Sequence, residues 1–532
     1  MARSITLKAP RPGSAQLRDP RLISYNIEMA EVTGGTFWKP FTPAQVAGAD
    51  EVPPITLPEG ESPSMSQMLA ATSELMSERP PADLSHARLR KLAAALGPSW
   101  VRVSGSWATG TYFDHDGRCD GEPPKGYRAV LTRDQWAGVL DFVDAVGAKL
   151  LTSFAVNPAL DSASCRELGG TGAWDPAQVR RILNMSSHRG VPVSAVEFVN
   201  EPNISFFDAP GYLPARYLQD QDAFYHFMRI EFPTVLLAGP CGAMDPIDPD
   251  APAAGAMARL AGQAPSSEQL ARHATEKPDA YSYHIYAGMS ERGAAMGGHH
   301  WEPGEAASDP ALAVADKARR YHARVRDAWC PGAPLWVTES GDANCGGNTW
   351  GSTFLDVFRT ADELARFSAA EDGAIFHNTL ASSDYGLLDE ETYAPRPNWW
   401  FLWLWRQLAG NGAYDAHETM VEPLAPACAH AYARTHADGK PGTVYLVINN
   451  SLIDELVVQA PAPCTRFTLS SPKAPKSGSV TSLELRSTGV LLNGAPLELG
   501  EDDALPAVDA MGAPEVAGEI TMQPGTVTFL VA

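Results

Sequence analysis

Two glutamates stand out for the chemistry they could do. Glu201 closes the run V-E-F-V-N-E-P-N, between Asn200 and Pro202, and Glu339 closes L-W-V-T-E-S-G-D. Each follows a short apolar, β-branched stretch, so each is predicted at the end of a strand. The proline after Glu201 turns the chain and presents the side chain to whatever cavity lies beyond. Seen singly, an Asn-Glu-Pro tripeptide is an ordinary loop start, and a strand-ending Glu an ordinary salt-bridge partner. As a facing pair they acquire a use. Cleaving a glycosidic bond needs one carboxyl protonated to push off the leaving oxygen and one ionised to attack the anomeric carbon. Two carboxyls held about 5 Å apart keep one of them protonated near neutral pH.

Such a pair needs a scaffold that brings both ends to one rim. Strand candidates recur at 22–28, 100–105, 149–155, 193–199, 234–239, 280–286, 335–340 and 374–380. Helical patterns lie at 84–96, 133–146 (opened by Thr132 as N-cap), 175–188, 212–231, 253–276, 309–329, 353–370 and 398–408. Eight strands, each followed by a helix, predict an α/β fold, a closed (β/α)8 TIM barrel over 21–410. Glu201 and Glu339 then end the fourth and seventh strands, where barrels of this kind carry their functional side chains. The spacer 29–83, rich in Pro, Glu and Ser, is too long for a βα loop and reads as an insertion over one rim. After Gly410 the period changes to two, with runs at 429–436, 443–450, 464–470, 479–486 and 525–532 and turns such as Asn493-Gly494. That predicts an all-β sandwich over 411–532.

Composition removes several classes. The 532 residues carry a formal net charge of −22, which argues against a nucleic-acid or anionic-membrane partner. No apolar run is long enough to span a bilayer, and no signal-peptide core is visible, so the location reads as cytoplasmic or secreted without a visible leader. Seven scattered cysteines give no CxxC spacing and suggest neither a disulfide framework nor a zinc site. The run Asp114 to Asp120 has its glycine at the wrong place for a calcium loop and lacks a closing Glu. His299-His300 and His417-Glu418 lack zinc-helix spacing. No nucleotide loop or GxSxG elbow occurs, and the short basic bursts read as solvated faces. No metal and no cofactor is implied, and the chain reads as a monomer.

The stretches SWVRVSGS, VEFVNEPN, LWVTESGDANCGG, DYGLLDEETYAPRPNWWFLWLWRQLAG and GVLLNGAPLEL…PGTVTFLV together resemble glycoside hydrolase family 79, the family of heparanase and of bacterial and fungal β-glucuronidases, with heparanase nearest. The resemblance covers most of the chain, and it implies that part of 1–20 completes the β-sandwich. It implies Glu201 as general acid/base, Glu339 as nucleophile, and Asn200 as partner of the sugar 2-hydroxyl. It implies that Tyr286 orients the nucleophile, with His284 the second candidate. Gly346 and Gly347 would receive a uronate carboxylate on backbone N–H groups, with Tyr385 adding its hydroxyl; glycine lets a backbone come close to a ligand. Asn344-Cys345 departs from the family's usual aromatic-glycine pair. Asn26 and Glu28 at the end of the first strand, and Ser106 and Trp107 after the second, are placed to complete the pocket; most of the thirteen tryptophans, Trp399, Trp400, Trp403 and Trp405 among them, must be packing.

The resulting expectation is a retaining endo-β-glucuronidase acting on heparan sulfate-type glycosaminoglycan, its partner being a uronic-acid-containing poly- or oligosaccharide. An exo-acting enzyme on short or aryl glucuronides is the rival, and a carbohydrate-binding barrel without catalysis the distant third. The scarcity of basic stretches makes the uronate firmer than the sulfated polymer.

Overall fold

The computed structural model describes residues 3–8, 21–53, 55, 71–160, 163–169, 172–204, 212, 214–245, 265–296, 298–368, 372–410, 427–435 and 442–532. Most of 1–20, residues 56–70 of the expected insertion and the first part of the helix expected at 253–276 lie outside them.

Eight parallel strands close into a barrel in chain order: β1 (Ile23–Glu28), β2 (Trp100–Ser104), β3 (Lys149–Thr152), β4 (Val193–Val196), β5 (Leu236–Gly242), β6 (Ala280–Met289), β7 (Leu335–Asn344) and β8 (Asp372–His377), with β8 pairing back to β1. Each overlaps a short apolar or β-branched run of the sequence, and the helices between them start where side chains satisfy their free N–H groups. Thr132 accepts from Gln135 N–H at 3.2 Å while Gln135 reaches back to Thr132 N–H at 2.8 Å, a capping box that opens Arg133–Ala145. Asp175, Ser266 and Ser308 cap the helices Pro176–His188, Ser267–His273 and Asp309–Trp329.

Alternation along the strands divides the core in two. Trp100, Leu151, Ala195, Ala238, Ala280, Trp336, Ala374 and Phe376 point into the barrel and fill its floor, large rings set against alanines. The opposite faces pack on the helices, among them Pro397–Leu408, whose Trp399, Trp400, Trp403 and Trp405 are all buried, Trp399 and Trp403 stacked at 6.2 Å.

Around residues 29–83, strands Gly35–Trp38 and Met76–Arg79 pair antiparallel with each other and place Trp38 and Met76 at the barrel mouth. The C-terminal all-β part has one sheet built on Ala429–Thr435, Thr443–Asn449, Thr526–Val531 and Cys464–Ser470, and a second of Arg3–Thr6, Leu456–Ala460 and Gly518–Met522. Ile5, Val447, Val458, Ile520 and Leu530 from both sheets share one apolar cluster. Asn493 and Gly494 turn with φ +49° and +82°, the two left-handed residues a tight hairpin needs. One expectation fails. The run 479–486 is not a strand, because Thr481 and Glu484 form a capping box around the short helix Ser482–Leu485.

Candidate active site

The carboxylates meet at the C-terminal mouth of the barrel, one oxygen of Glu201 lying within 4.8 Å of one of Glu339. Different backbone devices aim them. Beyond β4 the chain leaves the sheet, and Glu201 takes φ +45°, a conformation that costs a non-glycine residue free energy and marks a position held by its surroundings. Glu339 lies inside β7 and should, by simple alternation from Trp336, point away from the barrel. It does not, because β6 advances one residue from Tyr283 to His284 while β7 advances two, from Val337 to Glu339. This bulge re-aims the side chain inward, as bulges beside active sites do.

Behind the pair sits a buried hydrogen-bond network. Arg102, on the inward face of β2 two residues after Trp100, spreads its fork over three partners: Nε donates to Glu197 at 2.8 Å, Nη1 to Glu339 at 2.9 Å and Nη2 to Asn200 at 2.7 Å. Tyr286 donates its hydroxyl to the other Glu339 oxygen at 2.7 Å and accepts from Asn378 at 2.8 Å. His284 Nδ1 lies 2.9 Å from Glu201 and 3.4 Å from Glu339.

The network sets the charges. Burial works against ionised Glu197, but Arg102 and His284 outweigh it and hold that carboxyl below its ordinary range. Burial likewise opposes a charge on His284; the Cys241 sulfur, Glu339 and the hydrogen bond to Glu201 outweigh it and raise the ring well above free imidazole. Burial, then the charge of Glu339, pushes Glu28 well above a normal carboxyl, so a third acid in the cavity stays neutral. Burial keeps the phenols of Tyr286 and Tyr385 protonated as donors. Glu201, His284 and Glu339 each offer a ligand atom within 4.8 Å of the others, and among the described residues only this cluster could grip a metal ion. All three already have hydrogen-bond partners, and Arg102 lies against one of the carboxylates, so the set fits a hydrogen-bonded dyad better than a cation cage.

The cavity holds about 330 Å³. Of the residues singled out in the sequence, Glu28, Ser106, Trp107, Glu201, Tyr286, Glu339 and Tyr385 line it. Asn26, Asn200 and His284 stand behind its wall. Asn26 donates to Thr338 O at 2.9 Å, and the Asn200 side-chain oxygen is engaged by Arg102. Gly346 and Gly347 form a turn with φ +84° and +82° just beyond the lining residues Asn344 and Cys345. A Cβ on Gly346 would sit 2.7 Å from Trp38, so only glycine fits there.

Sequence reasoning missed Arg102, Glu197 and Asn378. A signal existed for the first: an arginine between valines on a strand is tolerated inside a barrel only when carboxylates meet it. Also missed were the apolar lining residues Trp38, Met76, Met244 and Met289, and Arg128, the one Lys or Arg lining the cavity among the described residues.

Asp342 supports the glycine turn from below, accepting from Asn348 N–H at 2.7 Å. Its other oxygen is buried without a partner, and burial, reinforced by Asp356, pushes the carboxyl up to about 8. A carboxyl whose folded pKa lies above its unfolded value of about 4 binds its proton more tightly when folded. Its contribution is therefore complete below about pH 4 and is lost as pH rises through about 8. Asp342→Asn is expected to abolish this decline, so the variant's melting temperature gains on the parent's steadily from pH 5 to pH 8. A pH-independent difference in scanning calorimetry refutes the assignment.

No protein-family profile matches the chain. "Heparanase-like protein 1" of Arabidopsis thaliana is 34% identical over 122 residues, 23% of this chain and 21% of that protein. "Hyaluronoglucuronidase" of Hirudo nipponia is 24% identical over 205 residues, 37% of this chain and 40% of that protein. The matched stretches thus span about a fifth to two fifths of these curated relatives' length. Among solved structures, a 4-O-α-L-rhamnosyl-β-D-glucuronidase from Fusarium oxysporum 12S matches with TM-score 0.59 over 99% of this chain and 100% of that one, at 11% identity, a likeness of fold. A closed barrel with appended β-sheets is thus the class of fold this chain shares with that structure, here carrying a facing carboxylate pair at its mouth. Over the matched stretches the sequence is similar to heparanase-like proteins, the kind grouped in glycoside hydrolase family 79.

Proposed function

We propose that this protein hydrolyses β-glucuronosyl linkages with retention of configuration. The observation carrying this is the separation of Glu201 and Glu339. Carboxyl oxygens within 4.8 Å suit direct attack on the sugar, whereas inversion needs a gap of about 6.5–9.5 Å between the carboxyl groups to seat a water. Glu339, its oxygens held by Arg102 and Tyr286, attacks the anomeric carbon. Glu201 gives its proton to the departing oxygen. A covalent glucuronyl-enzyme forms, and Glu201, now a carboxylate, takes a proton from water as that water displaces Glu339. Asn200, Tyr385 and the Gly346-Gly347 turn are assigned to the sugar's 2-hydroxyl and carboxylate on the family resemblance. Residues 21–410 would be the catalytic unit and 411–532, with the N-terminal strand, the β-sandwich unit.

Internal cleavage of heparan sulfate-type polymer is the reading the heparanase-like relatives favour. The lining favours a second, removal of glucuronic acid from short or aryl glucuronides, since Arg128 is the one basic residue among the described residues that line the cavity and methionines and tryptophans surround it. The test is digestion of heparan sulfate beside phenyl β-glucuronide, with products sized and the first anomer read by proton NMR. β-Glucuronic acid appearing first supports retention, and the α anomer appearing first overturns it. Internal fragments support the polymer reading, and free glucuronic acid alone supports the second.

A further inference from the structure

A thiol closes the far end of the network behind Glu201. Cys241 is 1% exposed and sits where β5 advances two residues, Pro240 to Gly242, against one on β6. It is the extra residue of that bulge, with φ +60°, in the left-handed region that non-glycine residues seldom occupy. The bulge brings its sulfur 3.1 Å from His284 Nε2, while His284 Nδ1 lies 2.9 Å from Glu201 Oε1. Arg102 Nη2 also approaches Nε2, at 3.5 Å, but a guanidinium has no acceptor to offer. Among the described residues, the sulfur is therefore what can accept the Nε2 hydrogen. It takes a second contact from Arg102 at 3.4 Å, so one sulfur separates two cationic donors. Burial, and after it Glu197, raises the Cys241 thiol, which makes it a neutral hydrogen-bonding atom here and not a nucleophile.

We propose that Cys241 is a positioning residue for Glu201, acting through His284. By holding Nε2, the sulfur fixes the ring so that Nδ1–H stays on Oε1 of Glu201. The proton that the leaving group takes is thereby confined to Oε2. This rests on the reading of Glu201 as general acid. Nothing in the arrangement requires Cys241 to meet substrate, and it does not line the cavity.

A leaving group that needs no proton separates this role from a structural one. For Cys241→Ala, kcat/KM on phenyl β-glucuronide is expected to fall roughly tenfold, a part of the 10²–10⁴ that general acid catalysis supplies. On 2,4-dinitrophenyl β-glucuronide, whose phenolate leaves unaided, kcat/KM should be unchanged, which also shows that the variant folds. Cys241→Ser, whose oxygen still accepts, should recover most of the loss. An equal fall on both substrates, or no fall on either, overturns the proposal. Glu201→Ala is run beside it. If that variant shows no dependence on the leaving group, the assignment of Glu201 fails and the proposal with it; if it shows the dependence and Cys241→Ala does not, only the role of Cys241 fails.

Discussion

Glu339→Gln is expected to lose turnover by about 10⁵–10⁶-fold, the scale on which removing a covalent nucleophile acts. The amide keeps the size of the side chain, and its oxygen can still accept from Arg102 Nη1 or from Tyr286, which lie 2.9 and 2.7 Å from the carboxylate now. What it loses is the negative charge that attacks the anomeric carbon and stabilises the charge developing there. Binding of substrate should survive the change, since the cavity wall is otherwise intact, so the deficit belongs in kcat. The measurement is steady-state turnover of phenyl β-glucuronide, paired with mass spectrometry after a 2-deoxy-2-fluoro-glucuronide. The parent should carry the label on the β7 peptide containing Glu339, and the variant should carry none. Residual activity within tenfold of the parent would mean that another group attacks. Glu28 is then the first alternative, because it lines the same cavity, but as a neutral acid it is a poor nucleophile.

The order of strands was readable because a parallel barrel strand is buried on both faces and advertises itself as a short β-branched run. Thr132 advertised a helix start for a similarly local reason. The carboxylate pair was readable for a weaker one, two glutamates at two strand ends. Nothing local showed that β7 carries a bulge at Thr338, although without it Glu339 would face the helices. Bulges answer to the register of the partner strand, here β6, which lies about fifty residues upstream of Glu339 and about forty downstream of Cys241. The Arg3–Thr6 strand, expected only as an unspecified part of 1–20 and on the resemblance alone, has no local signal because it pairs in parallel with Leu456–Ala460, a contact across nearly the whole chain. At 479–486 the apolar alternation misled, and the Thr481-x-x-Glu484 capping box, which was visible, decided the outcome.

Arg102→Met should cost the fold about 3–5 kcal/mol, the penalty for stripping the partner from buried charges. Arg102 and Glu197 are 1% and 0% exposed at their side chains, so no water replaces the guanidinium when it is removed. Methionine fills much of the volume, which isolates the electrostatic loss from a cavity. Lysine would be no remedy, since one ammonium cannot reach Glu197, Glu339 and Asn200 together as the planar fork does. The sign of the pH effect discriminates further. In the parent, Glu197 has a depressed pKa and contributes stability that is present above its unfolded pKa of about 4.3 and is lost only as pH falls through the lower folded value. In the variant the same carboxyl loses the larger of its two cationic partners and keeps only His284 as a cation against burial, so its pKa rises, and it destabilises as pH rises above about 4.3. The gap in urea midpoint between parent and variant should therefore be wide at pH 7 and narrower at pH 5. A gap that stays constant across that interval would show that Arg102 acts by packing, and the account of it as the charge that organises Glu197 and Glu339 would have to be abandoned.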